Sequence, residues 1–321
     1  MSRTINLLFL GGAKRVSMAR LMKDAARQLG LEADIFSYEL SKEVPIAVEA
    51  TVVEGTLWRD PLILDKLWTV VEERHIDIVV PFVDPAISIA ARLRDMHQAH
   101  DERRIYVPTG PPAQADTMLD KAESARAFES LGIPCPATIP AGTAPTVYPV
   151  IAKPRRGSAS KGIKVITSAD EWARSGISPD DYLVQAYIER REEYTVDCFV
   201  DSEGTIAACQ PRLRIATAGG EVTDTVTVDT PDLVEASRRA LRLLGLRGAV
   251  TIQWIRDLAT GQLLIMEINP RLGGGAVASV YAGSNLPLMM LNDALTGRAG
   301  MVAEPCAGVR MTRYMQEVIF K

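Results

Sequence analysis

An α/β domain followed by an α+β domain is the fold class this 321-residue chain predicts. Three observations carry that prediction. Short β-branched runs alternate with amphipathic helical stretches up to about Pro108, strands dominate beyond Val150, and the proline-rich stretch Ile133–Pro149 between them resists helix and central strand alike. At roughly 150 residues per domain the length also suits two domains.

The first body orders as strand Ile5–Leu10, helix Ser17–Leu29, strand Ala33–Phe36, helix Pro61–Arg74, strand Ile76–Phe82, helix Asp84–Ala99 and strand Ile105–Val107. Such alternation makes a parallel sheet with helices on both faces. Gly11 and Gly12 follow the first strand without a G-x-G-x-x-G, so a tight turn is expected there and a dinucleotide site is not. A helical stretch, Pro112–Gly132, leads into the hinge. Strands are then expected at Val150–Lys153, Ile163–Ile166, Tyr182–Ala186, Tyr194–Asp201, Thr205–Cys209, Val222–Val228, Ala249–Arg256, Leu263–Ile268 and Val309–Val318. Helices interrupt them near Asp170–Ser175, Asp232–Leu244 and Pro287–Leu295, which gives an antiparallel-rich body.

Composition removes several classes of function. With 47% hydrophobic and 24% charged residues the chain is globular, and 36 Lys+Arg against 40 Asp+Glu leave a net charge of −4, with no bulk basic field for nucleic acid. Cys135, Cys198, Cys209 and Cys306 lie far apart with no C-x-x-C, as expected of reduced, packing thiols in a cytoplasmic protein. The apolar run at the start is too short for an export signal, and the two long uncharged stretches are broken by proline or glycine, so no membrane span is expected. His75, His97 and His100 all fall in the first third, away from the acidic and glycine-rich clusters, and no G-x-S-x-G occurs, so histidine-dependent and serine hydrolysis are not expected.

Chemistry concentrates in two segments. In the first, a strand ends in Lys153 and runs through the small-residue loop Gly157, Ser158, Ala159, Ser160 to Gly162 and a second strand. Small residues let backbone N–H groups approach phosphate oxygens, and Lys153 offers them a point charge. Gly157 and Gly162 have P-loop spacing, but Ile163 and Lys164 replace the required Lys-Ser/Thr and a strand follows, so a Walker-type site is not expected. In the second segment Glu267, Asn269 and Arg271 alternate with apolar neighbours, and period-two geometry aims all three at one face. Oxygen ligands this sparse suit Mg²⁺, which keeps waters and takes its remaining ligands from substrate phosphates; Gln253, on the hairpin partner strand, can add one more.

These residues together resemble the ATP-grasp proteins, in particular the short carbamoyl-phosphate-synthetase-like members, in order from Ile5 to Val318. The resemblance implies a Rossmann-like pre-ATP-grasp domain over 1–110 and an ATP-grasp domain over 111–321. The latter divides into a lysine and glycine-loop lobe at about 115–190 and a metal-site lobe at about 191–321. It implies that Lys121 and Lys153 touch ATP phosphates, and that the loop bearing Gly157, Ser158, Ser160 and Gly162 closes over them. Gln185, Ala186 and Ile188 are then expected to flank adenine, and Glu193 to hold the ribose, with Glu192 its competitor. Gln253, Glu267 and Asn269 correspond to metal ligands, Arg271 to the arginine on the acyl phosphate, and Arg214, ahead of Arg212, to a second neutralising cation. Two departures are visible: Gln185 replaces a common glutamate, and Glu189, Arg190 and Arg191 lack the usual glycine.

The implied reaction is ATP-dependent ligation of a carboxylate to an amine through an acyl phosphate, releasing ADP and phosphate, with ATP and Mg²⁺ (or Mn²⁺) as cofactors. Small-molecule acids and amines are the expected partners, with neither nucleic acid nor membrane; a homodimer is left open. Carbamate or bicarbonate phosphorylation and a non-catalytic ATP-binding module are the alternatives.

Overall fold

The computed structural model describes residues 3–100, 105–157, 161–178 and 180–320. Strands β1 (Arg3–Leu10), β2 (Leu31–Glu39), β3 (Thr51–Glu54) and β4 (Ile78–Pro81) pair in parallel in the order β3-β2-β1-β4. Residues on β1 alternate between two cores. Leu7 and Phe9 pack under helix α1 (Val16–Gln28), whereas Leu8 and Leu10 pack under α2 (Ile63–Glu73) and α3 (Asp84–His100). Burial on both faces explains why the second half of β1, Leu7–Leu10, and β4 read as continuous apolar runs.

Gly11 takes φ +72° in the turn after β1. At the end of β2, Glu39 is buried, and burial raises its carboxyl above the usual range; Ser37 and the Gly12 and Ala13 amides, which hydrogen-bond to it, oppose that rise. Those amides are therefore committed to a side chain of the protein itself. This agrees with the tight turn expected from the sequence.

The rest of the chain forms α4 (Pro112–Leu119), α5 (Lys121–Ser130), β5 (Val150–Pro154), β6 (Lys164–Ile166), α6 (Ala169–Arg174), β7 (Tyr182–Ala186), β8 (Arg191–Val200), β9 (Ile206–Ala218), β10 (Glu221–Thr227), α7 (Pro231–Leu244), β11 (Gly248–Asp257), β12 (Leu263–Asn269), α8 (Ala276–Tyr281), α9 (Leu286–Thr296) and β13 (Arg310–Thr312). Two antiparallel sheets result: a small one ordered β6-β5-β7 and a large one ordered β12-β11-β8-β9-β10-β13. The large sheet has two chemically opposite faces. Tyr194, Val196, Cys198, Val250, Ile252, Trp254 and Ile268 form an apolar core against Leu233, Val234, Ala240 and Leu241 of α7. Glu193, Thr195 and Asp197, alternating with them on β8, point the other way, as period two requires. The parallel sheet joins this body through α1, which packs on α9, and through Gly248, whose added Cβ would stand 2.0 Å from the Pro108 carbonyl oxygen.

Several sequence expectations change. Helix Pro112–Gly132 is two helices, because Asp120 leaves helical geometry (φ −95°, ψ 111°) and caps α5, accepting N–H bonds from Ala122 and Glu123. β3 and α8 escaped the sequence reading. The strand expected at Thr205–Cys209 runs to Ala218 and so carries Arg212 and Arg214 in its interior, while the one expected at Val309–Val318 covers Arg310–Thr312 alone. Among the described residues, no helix is long and apolar enough to cross a membrane.

Candidate active site

A cleft of about 380 Å³ opens between the small sheet and the polar face of the large one. Its walls include Lys121, Lys153, Gly157, Ala186, Ile188, Glu193, Arg214, Gln253, Glu267, Asn269 and Arg271, residues drawn from α5, β5, β7, β8, β9, β11 and β12 and the loops beside them. Gly162 is not part of the wall, and Ser158 and Ser160 lie outside the described residues.

Lys153 is 8% exposed at the end of β5, and its Nζ donates to Gln185 Oε1 at 3.2 Å. Burial pushes the ammonium below the usual lysine range, and Glu267 pulls it back up. Gln185 donates from Nε2 to the Pro136 carbonyl at 3.1 Å, so both ends of its amide are bound. Its side chain positions Lys153 and stays off the cleft wall. This accounts for a glutamine where the resemblance anticipated glutamate. Lys121 opens α5 and donates to the Gly157 carbonyl at 2.8 Å, tying the start of the small-residue loop to that helix.

Along the small sheet, Ile151, Ile163, Val165, Leu183 and Ala186 face Ile255 and Met266 of the large one. Ile163 and Val165 are 38% and 39% exposed, an apolar cost that a flat ring inserted between the sheets would relieve. The Ala186 N–H is spent on the Ala137 carbonyl (2.9 Å), which leaves the carbonyl and methyl of Ala186 as its contribution to the slot.

Alternation also separates Glu193 from Glu192, and depth along one face separates Arg214 from Arg212. Glu193 lines the cleft, where it accepts from Arg191 Nε at 2.9 Å, whereas Glu192 accepts from the Tyr194 hydroxyl at 2.5 Å on the other face. Arg212 is 2% exposed and locked to Asp197 (2.8 Å), while Arg214 borders the cleft. Arg214 is held loosely, by contacts of 3.4 Å to Thr195 and Gly220, and its buried Nε makes no hydrogen bond, only an ion pair of 3.7 Å with Glu193. Burial and the nearby Arg212 push this guanidinium down from its ordinary range.

Gln253 sits directly across the antiparallel ladder from Glu267, and Asn269 Nδ2 donates to Glu267 Oε1 at 2.9 Å. One carboxylate and two amides fit a divalent ion that draws its other ligands from phosphates and water, but do not fit a closed protein cage. Among the described residues no cluster of three or more His, Cys, Asp or Glu side chains could hold a metal by itself. Arg271 meets Asp84, the first residue of α3, at 2.6 Å. Asp84, Arg191 and Lys161 also line the cleft, and the sequence reading singled out none of them. Among the described residues, six cationic and three anionic side chains surround it, a local positive excess in a chain of net charge −4.

Two antiparallel sheets thus close on a lysine- and Glu-x-Asn-bearing cleft, and part of the chain is similar to an ATP-grasp family. Residues 178–317 match the family described as "ATP-grasp in the biosynthetic pathway with Ter operon". The alpha subunit of mitochondrial methylcrotonoyl-CoA carboxylase from Arabidopsis thaliana is 26% identical over 194 residues, which are 51% of this chain and 26% of that protein; the chain thus spans about a quarter of that relative's length. Among the solved structures that share the fold are two with bearing on the cleft. One is the biotin carboxylase domain dimer of Hydrogenobacter thermophilus 2-oxoglutarate carboxylase, in complex with MgADP, ADP and bicarbonate (TM-score 0.73, 17% identity, 92% of this chain and 71% of that one). The other is the L-amino acid ligase from Bacillus licheniformis (TM-score 0.71, 17% identity, 92% and 75%).

Proposed function

We propose that this protein is an ATP-dependent carboxylate–amine ligase that works through an acyl phosphate and releases ADP and phosphate. The observation that carries this reading is the convergence of Lys121, Lys153, Arg214 and Arg271 with Gln253, Glu267 and Asn269 on one cleft beside an apolar slot. Adenine occupies the slot at Ala186 and Ile188, with Gln185 acting through Lys153, and Glu193 takes the ribose. Lys121 and Lys153 hold phosphate oxygens, with Gly157, which Lys121 ties down, beside them. Mg²⁺, held by Gln253, Glu267 and Asn269, would shield the phosphates' negative charge when bound. Arg271 and Arg214 offset the repulsion between the acid's carboxylate and the phosphoryl group, so the residues chiefly position and neutralise. No histidine is needed as a base. On this reading residues 1–110 are a Rossmann-like pre-ATP-grasp domain and 111–321 the ATP-grasp domain. A homodimer and a cytoplasmic setting belong to the same proposal, the latter in keeping with four free cysteines.

A second reading, phosphorylation of bicarbonate or carbamate in the manner of a carbamoyl-phosphate synthetase, draws on the bicarbonate-bound carboxylase domain that shares the fold. ADP release with MgATP over pooled amino acids and small carboxylates, against bicarbonate with ammonia, separates the two. Acceptor-dependent release that falls by about 100-fold or more in Glu267→Ala is expected. Nucleotide binding with no turnover on any acceptor would favour a non-catalytic module.

The burial of Lys153 adds a pH dependence. Phosphate needs the charged ammonium, whose pKa lies below the ordinary lysine value in the free protein. MgATP affinity is therefore expected to fall as pH rises through that lowered pKa, and Lys153→Arg to move the fall to higher pH. Calorimetric titration between pH 7 and about 10 reads this directly; a flat profile in the wild type would contradict it.

A further inference from the structure

The proposed reaction leaves the acid unnamed, and the parallel sheet bears on its chemistry. Its strand order β3-β2-β1-β4 places the topological switch point between β1 and β4, where ligands of open α/β sheets bind, outside the carboxyl ends of the strands. The two loops at that point touch: a Cβ added to Gly11 would come 2.6 Å from Val83. Each loop sends one charged side chain to the large sheet's body. Asp84 reaches Arg271, in the cleft, and Arg15 reaches Glu221 at 2.9 Å.

Around Arg15 the cations outnumber their partners. Glu221 is shared with Arg313, which also donates to the Gly274 carbonyl, so two guanidiniums face one carboxylate. Burial raises the Glu221 carboxyl, yet the two arginines outweigh it and hold it down at about 2. Arg15 Nε is buried and without a partner. Gly274, three residues beyond Arg271, lies against both guanidiniums; a Cβ there would stand 2.8 Å from Arg313 Nη2 and 3.0 Å from Arg15 Nη1. Gly220, beside Glu221, lines the cleft and accepts from Arg214. Arginines thus run from the cleft wall, at Arg271 and Arg214, to Arg15 and Arg313 beyond it, at the switch point.

We infer that the acid substrate lies across this switch point and carries a second anionic group, a carboxylate or a phosphate, bound by Arg15 and Arg313 beside Gly274. Glu221 orients the two guanidiniums for it. The inference rests on the ligase reading and narrows its substrate to a class.

The test compares matched acids in the ADP-release assay: L-glutamate with L-glutamine, L-aspartate with L-asparagine, succinate with succinamate, and O-phospho-L-serine with L-serine. The acid bearing the extra anion is expected to show a KM at least tenfold lower than its neutral counterpart. The carboxylate and phosphate pairs tell the two anions apart. Arg15→Met should abolish the preference through KM with kcat nearly kept, Arg313→Met should do so independently, and Arg15→Lys should restore part of it. MgADP titration and thermal melting of each variant check that it is folded. Equal use of neutral and anionic partners by the wild type, or a preference surviving in folded Arg15→Met and Arg313→Met, overturns the inference and leaves the ligase standing. ADP release with none of these acids, but with bicarbonate and ammonia, overturns both.

Discussion

Replacing Arg271 by Met is expected to lower acceptor-dependent ADP release by about 10²–10³-fold while leaving MgADP affinity within a few-fold of the wild type. The asymmetry follows from where the charge is. Arg271 lies just past β12 and is held by Asp84 from another layer of the fold, its Nε donating at 2.7 Å and its Nη2 lying 2.6 Å from the same carboxylate oxygen. Nη1 makes only a long contact of 3.3 Å to the Leu272 carbonyl, so the guanidinium, which lines the cleft, keeps donors for the proposed acyl phosphate as the phosphoryl group arrives. A donor already aimed there costs no reorganisation during the reaction, and its loss falls on the transition state more than on bound nucleotide. Asp84→Asn tests the positioning half of this argument. It keeps the shape, weakens the hold on Arg271, and is expected to cost less than Arg271→Met. A loss of nucleotide affinity in Arg271→Met equal to its loss of turnover would show that the arginine serves ground-state binding instead.

How much of this site can be read from the sequence depends on how local the signal is. Glu267, Asn269 and Arg271 are legible because one strand's alternation groups them, and Lys153 because a lysine ends a strand before a small-residue loop. Asp84 and Arg191 are not. Asp84 looks like an ordinary helix start, and its meeting with Arg271, 187 positions away, is made by the packing of one layer on another. The choice between Arg212 and Arg214 shows the limit most clearly. Both lie on one face of β9, so period two cannot separate them; what does is their depth along that face. Glu193, Arg214 and Thr195 lie toward the cleft, whereas Arg212 and Asp197 lie under α8, where Ser279 donates to Asp197 at 2.7 Å. The long strand Ile206–Ala218 contains Pro211, a residue that argues against a central strand. In the fold Pro211 pairs with Val196 and its carbonyl accepts from the Val228 amide, so the acceptor it keeps is used.

The same polar face sets the largest expected effect on stability. Asp197 and Arg212 are 1% and 2% exposed, and removing one partner strands the other's charge away from water. Asp197→Leu is accordingly expected to destabilise the protein by about 3–5 kcal/mol, and Arg212→Met by a similar amount. Replacing both should cost much less than the sum, because desolvation of the pair already offsets most of its attraction, leaving mainly the Ser279 hydroxyl to find a new acceptor. Urea unfolding of the two single variants and the double variant measures the coupling. Strict additivity would mean that each charge is satisfied independently of the other. If the coupling is found, the pair serves to place β9: with Arg212 anchored beneath α8, Arg214, two residues on, is delivered to the cleft with its own bonds still loose. Asp197→Leu should then reduce turnover even at temperatures where the variant is fully folded.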